Sequence, residues 1–186
     1  EILEDIQLQL ADSLSAYNSS RFTFGSINDP VFGTSVKSTS FTLVPIVDTM
    51  DFGKNTRIRQ FHFSAVRDTV STFNENQKHI IQNVYVSELK APLDTFTLYT
   101  GTFMNEANCE KYLNLGNRIT AGIPVYDGGD SLSFDFSLEF AESLVQRLNK
   151  NYEICDSMDL YLKSIPGIYI TTDAPAAEGG RINMFD

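Results

Sequence analysis

Ser131-Leu132-Ser133-Phe134-Asp135-Phe136-Ser137-Leu138 alternates without a fault. Leu132, Phe134, Phe136 and Leu138 point one way; Ser131, Ser133, Asp135 and Ser137 point the other. Successive side chains of a strand face opposite sides, so this is a half-buried strand with one solvated face. Arg57–Val66 follows the same rule, with Phe61, Phe63 and Ala65 on one face and Gln60, His62 and Ser64 on the other. Arg21–Ile27, Val36–Val47, Ile80–Leu89, Thr95–Thr100 and Gly167–Thr172 are further strand candidates. Turn signals separate them at Asn28-Asp29-Pro30, Asp51-Phe52-Gly53, Asn114-Leu115-Gly116-Asn117 and Asp127-Gly128-Gly129-Asp130. Short strands with turns at this spacing predict an all-β, jelly-roll-like β-sandwich rather than a set of βαβ units.

Helical periodicity is confined to short pieces, so two or three short helices are expected. Phe140, Leu144 and Leu148 recur every four residues behind Ser137, a good N-cap. A second helix is expected over Asp156–Ile165, capped by Asp156 and stopped by Pro166-Gly167. A third is expected over Glu106–Leu115, ending at Gly116. No repeat or low-complexity linker divides the chain, so residues 1–186 read as one domain.

The 186 residues carry 24 Asp+Glu against 14 Lys+Arg, a formal net charge of −10. That charge disfavours nucleic acid, which needs a cationic face to displace counterions from phosphates. It equally disfavours docking on an anionic leaflet. No stretch approaches the ~20 apolar residues of a membrane span. The opening Glu1-Ile2-Leu3-Glu4-Asp5 has neither the basic start nor the apolar run of a signal peptide.

Catalytic signatures are missing from the sequence. It has no G-x-S-x-G elbow, no P-loop, no H-E-x-x-H and no G-x-G-x-x-G before a helix. Its two histidines, His62 and His79, stand without a nucleophile motif. An enzyme is therefore disfavoured, although the abundant carboxylates leave a glycosidase-like pair as an alternative. Tyr85, Tyr99, Tyr126 and Tyr169 are candidate stacking platforms for a carbohydrate, or else strand and core residues with the hydroxyl at the rim. Asp127 and Asp130 could offer carboxylates to calcium, but they lack the spacing of an EF-hand; a glycine-rich hairpin turn is the other reading. Cys109 and Cys155, 46 positions apart, are either a disulfide or two separate thiols used as small apolar residues.

Several stretches taken together resemble a known family. Phe24-Gly25-Ser26-Ile27-Asn28-Asp29-Pro30-Val31-Phe32-Gly33 is similar to an opening glycine, Asp-Pro, Phe-Gly signature, and Gln82–Leu89 to a central valine-rich strand. Leu132–Leu148 is similar to a strand-then-helix segment, Pro166-Gly167-Ile168-Tyr169-Ile170 to a G-[LI]-Y-I strand, and Gly179–Phe185 to the glycine-rich turn and strand that follow. In this order they resemble an uncharacterised family of Bacteroidetes cell-envelope lipoproteins, the domain of unknown function 4270. The resemblance implies secretion, a lipid anchor on a cysteine upstream of Glu1 after removal of a signal peptide, and residence at the outer membrane or cell surface. Members are longer, so it also implies that the chain is the N-terminal part of a longer lipoprotein. The family supplies no catalytic or ligand residues to carry over.

The expectation is a non-catalytic binding or assembly module recognising a glycan or an envelope protein. It needs no cofactor unless calcium sits at Asp127 and Asp130. The alternatives are an envelope glycoside hydrolase with paired carboxylates and a purely structural subunit of a surface complex.

Overall fold

A computed structural model describes residues 20–46, 52–53, 55–69, 80–93 and 106–186. Its strands are β1 (Phe22–Asp29), β2 (Gly33–Lys37), β3 (Thr39–Phe41), β4 (His62–Val66), β5 (Gln82–Asn83), β6 (Tyr85–Leu89), β7 (Leu113–Arg118), β8 (Val125–Tyr126), β9 (Ser131–Asp135), β10 (Ile168–Thr171) and β11 (Gly179–Phe185). The helices are α1 (Glu106–Tyr112), α2 (Leu138–Lys150) and α3 (Met158–Ser164), with a 3₁₀ turn at Tyr152–Ile154. The sheets run β11-β1-β2, β3-β10-β6-β7, β4-β9 and β5-β8, and every pairing among the described residues is antiparallel. The protein is an all-β sandwich, with three short helices among the described residues.

The alternating strands do as their pattern demands. Leu132, Phe134 and Phe136 are buried, as is Ala65, while Ser131 and Ser133 are exposed. Phe63 faces Phe134 across the β4–β9 ladder, their rings 4.8 Å apart, and Phe61 meets Phe136 at 4.7 Å. Such ring pairs add to the area they bury, so this ribbon anchors the main core with Phe24, Val84, Val86, Ile168, Ile170 and Phe185. The ribbon is tied on both sides. Val66 and Asp186 exchange backbone hydrogen bonds at 3.1 and 2.9 Å, joining β4 to the end of β11. Ser137 N donates to Ile119 O at 2.8 Å, joining the end of β9 to the chain after β7.

Four local expectations are corrected. Leu138 does not continue the strand: Ser137 Oγ accepts from Phe140 N at 3.2 Å, so Ser137 caps α2, and Leu138, at its first position, is exposed. Asn114–Asn117 is strand rather than turn, because β7 pairs with β6 through an irregular register between Ser87 and Leu89. That pairing also ends α1 at Tyr112, short of Gly116. The cap of α3 is Ser157, one residue after Asp156. Elsewhere the expected strands break at Ser38 and at Val84, and Thr95–Thr100 lies outside the described residues.

The α2 and α3 helices pack together around the 3₁₀ turn, while α1 packs separately against Leu89, Leu113 and Tyr169. Phe140 enters the main core, while Leu148, Ile154, Cys155, Tyr161 and Ile165 form a second, smaller one. Arg147 binds Glu88 of β6 at 2.6 Å, and the Tyr161 hydroxyl donates to Leu43 O at 2.8 Å. No helix among the described residues is long and apolar enough to cross a membrane.

Candidate functional site

The three described tyrosines among those singled out as platforms do not share a surface. Tyr126 is 2% exposed and Tyr169 8%, so both belong to the core. The Tyr126 ring meets Phe24 and Phe185 edge-on; its hydroxyl accepts from Asn183 Nδ2 at 2.7 Å and donates to Gly129 O at 2.9 Å. Burial pushes this phenol's pKa above its usual value. Tyr169 packs with Leu89 and Leu113, against Cys109 and Tyr112 of α1. Tyr99, like His79, lies outside the described residues.

Tyr85 alone of the described three stands at the surface. Gln82, Asn83, Val84 and Tyr85 alternate in and out, which sends Asn83 and Tyr85 to one side. The Tyr85 hydroxyl donates to Asp173 Oδ2 at 2.5 Å, and this bond raises the phenol's pKa. Asn83 Nδ2 donates to the same oxygen at 3.2 Å and to the phenol oxygen at 3.4 Å. Arg118, reaching across from β7, sets its guanidinium 5.7 Å from the centre of the Tyr85 ring, within cation–π range. Val125 pairs with Asn83 on β8 and is exposed beside it, with Ile123 and Ile81 exposed nearby. The result is an open platform holding one oriented aromatic ring, an amide, a carboxylate and a guanidinium, with an apolar margin. Strand alternation points to Asn83 once Tyr85 is chosen. Asp173 and Arg118 come from segments far along the chain and give no sequence signal.

The Asp127–Asp130 turn is built differently. Asp127 Oδ1 accepts from Gly129 N at 2.9 Å, closing the turn on itself. Arg67 donates to Gly128 O and to Asp130 Oδ1, each at 3.2 Å. Arg181, 2% exposed, lies behind the turn with its guanidinium 5.7 Å from the Tyr126 ring centre and bonded to Ile80 O. Two guanidiniums therefore stand around the carboxylates that could be offered to calcium, and the loop is a closed turn, the other reading of its sequence. Among the described residues no group of three or more His, Cys, Asp or Glu could hold a metal.

A second polar pair lies on the solvated face of the β4–β9 ribbon. His62 Nδ1 is 2.7 Å from Asp135 Oδ1, and Gln60 Nε2 donates to both Asp135 oxygens at 2.9 and 3.1 Å. The His62 bond, then those from Gln60, hold the Asp135 carboxyl below its usual pKa. Among the described residues no hydroxyl or thiol hydrogen-bonds to this imidazole.

No disulfide joins Cys109 to Cys155. Cys155 is buried in the small helical core, whereas Cys109 packs at the edge of the Leu89–Leu113–Tyr169 cluster. A hollow of about 720 Å³ opens between α2 and α3, lined by Arg147, Lys150, Ile154 and Leu160, among others; among the described residues Glu153 is its one carboxylate. A carboxylate pair for glycoside hydrolysis is therefore not found there.

No protein-family model matches the chain, and neither a curated protein nor a solved structure does.

Proposed function

We propose that the chain is a non-catalytic binding module of a lipid-anchored envelope protein, and that its ligand is a glycan held at Tyr85. The observation that carries this reading is the Tyr85–Asp173–Asn83–Arg118 platform. Sugars present apolar C–H faces and rows of hydroxyls. An oriented phenol ring with an apolar margin meets the first; a carboxylate, an amide and a guanidinium meet the second. The hydrogen bond to Asp173 fixes the ring before any ligand arrives, which lowers the ordering cost of binding. The acidic surface and the resemblance of Phe24–Gly33 and Gly179–Phe185 to envelope lipoproteins favour an extracytoplasmic setting.

The test is a glycan array probed with the folded chain and with Tyr85→Ala. A reproducible hit on the native chain, lost in Tyr85→Ala while the melting temperature stays within a few degrees, supports the reading. A blank array from folded protein, or a hit indifferent to Tyr85→Ala, overturns it. Envelope residence is tested separately by cell fractionation, where recovery in the cytosol defeats that part.

A further inference from the structure

The β1–β2 hairpin carries an open edge. Among the described residues no strand lies beyond β2, and all five of its residues are exposed. Such an edge presents a row of backbone N–H and C=O groups ready to pair with another strand. Folded proteins blunt edges with proline, bulges or charge along the strand. β2 uses none of these along its middle: Thr34, Ser35 and Val36 are neutral, and its register with Gly25–Asp29 of β1 runs without a break. The turn that closes the hairpin is apolar and uncovered, with Val31 80% and Phe32 92% exposed.

We propose that this edge binds a second copy of the same chain, β2 pairing antiparallel with β2 about a two-fold axis at Ser35. A two-fold contact must be self-complementary, and this register is. It sets Thr34 opposite Val36 of the other copy, twice, a favourable cross-strand pair of β-branched side chains. It also sets Lys37 opposite Gly33 of the other copy, twice. Residues opposite one another in a ladder share a face, and Gly33 is itself opposite Asp29 on β1. Lys37, the other copy's Gly33 and that copy's Asp29 therefore form one row. Nothing lies within 4 Å of the place a Gly33 side chain would take, so the row is open for the lysine stem to cross. Asp29 is held ready at its far end, its Oδ1 accepting from Val31 N and Phe32 N at 2.8 and 2.9 Å. A register one residue away sets Lys37 opposite Thr34 or Phe32 and loses both charge pairs.

The surface covered is small. Two five-residue strands with their turn tips bury several hundred Å², below the ~1,200 Å² of a standard stable interface, so the dimer is weak and reversible. The contact involves none of the Tyr85 platform residues, so it stands or falls apart from the glycan reading.

Sedimentation velocity on the full chain over a concentration series reads the association directly. Mild oxidation of Ser35→Cys and Thr34→Cys reads the register. Two Ser35→Cys residues on the axis sit ~4.5–5.5 Å apart at Cα, within disulfide reach. Two Thr34→Cys residues are diagonal neighbours, with Cα atoms on the order of 8 Å apart and out of reach. The expected result is a concentration-dependent dimer, a covalent dimer from Ser35→Cys, and none from Thr34→Cys or from the native chain with Cys109 and Cys155. Lys37→Glu should weaken association on the order of tenfold while leaving the melting temperature unchanged, since the side chain is exposed. A monomer at every concentration overturns the proposal. So does a dimer indifferent to Lys37→Glu and not cross-linked through Ser35→Cys, or equal cross-linking of both cysteine variants.

Discussion

Two turns of similar composition meet opposite fates in this molecule. Asp127-Gly128-Gly129-Asp130 and Asn28-Asp29-Pro30-Val31-Phe32-Gly33 both combine acidic residues with glycine, and in both an aspartate accepts from the backbone N–H two residues on. The first is then fastened from outside, by Arg67 across its Gly128 carbonyl and Asp130 carboxylate and by buried Arg181 behind it. The second projects with Val31 and Phe32 in solvent. Local sequence thus sets the geometry of a turn. Whether the turn is anchored or free depends on residues that are distant in the chain.

The sharpest way to break this contrast is to add one methyl group to each turn. Gly128 has φ +90, and its added Cβ would run into the Arg181 guanidinium. That guanidinium is buried and engaged with Ile80 O and the Tyr126 ring, so it has no room to retreat. Gly128→Ala should therefore cost about 2–4 kcal/mol of unfolding free energy, from backbone strain and displaced packing together. Gly33 has φ +79 but meets nothing within 4 Å. Gly33→Ala carries only the left-handed backbone penalty, about 1 kcal/mol. Urea denaturation of the two variants measures both; equal losses would mean that the arginines do not fasten the first turn.

The same division explains what could be read from the residues. The period-two runs around Leu132, Phe134 and Phe63 are legible because a half-buried strand imposes its alternation on the sequence. Ser137 is legible as a cap because an oxygen before an apolar, helix-spaced run has few other uses. Asn114–Asn117 misleads: its composition is that of a turn, but pairing with β6 draws it into a bulged strand. Tyr126 and Tyr169 mislead for a related reason. A strand tyrosine has the same local signature on either face, and only the packing partners Phe24, Phe185, Leu89 and Leu113 assign it to the core. Of the Tyr85 platform, Tyr85 is legible and Asn83 follows from it by strand alternation, whereas Asp173, just past β10, and Arg118, at the end of β7, reach it only through tertiary packing.

The free turn should respond to acid. Asp29 accepts N–H bonds from Phe32 and Val31, and these hold its carboxyl below the ordinary 3.8. The folded pKa is depressed, so the carboxylate's contribution to the hairpin is fully present above the unfolded value and is lost as pH falls through the folded one. Below pH 4, the Val31 and Phe32 amide resonances should shift along one titration curve, with a midpoint under 3.8. A midpoint at or above the ordinary value would show that the turn is not closed by Asp29, and would also remove the fixed acceptor on which the Lys37 row depends.

The smallest effect expected is from calcium on the anchored turn. A calcium ion needs six to eight oxygen ligands, several of them anionic. At this turn the Asp130 carboxylate and Gly128 carbonyl already accept from Arg67, and Asp127 accepts from Gly129 N. To bind there, the ion would have to displace one guanidinium and settle beside another, with no third carboxylate of the described residues to compensate. Anything that binds the folded chain alone raises its melting temperature by mass action. Thermal melts in millimolar calcium and in chelator should therefore coincide for the native chain. Removing the competing cation gives the comparison a second arm: in Arg67→Ala, Asp130 and the Gly128 carbonyl are released, and a calcium-dependent rise in that variant alone would identify Arg67 as the group that occupies the site. A rise of the same size in the native chain would instead mean that the arginine yields to the ion, and that this turn is less firmly fastened than its hydrogen bonds imply.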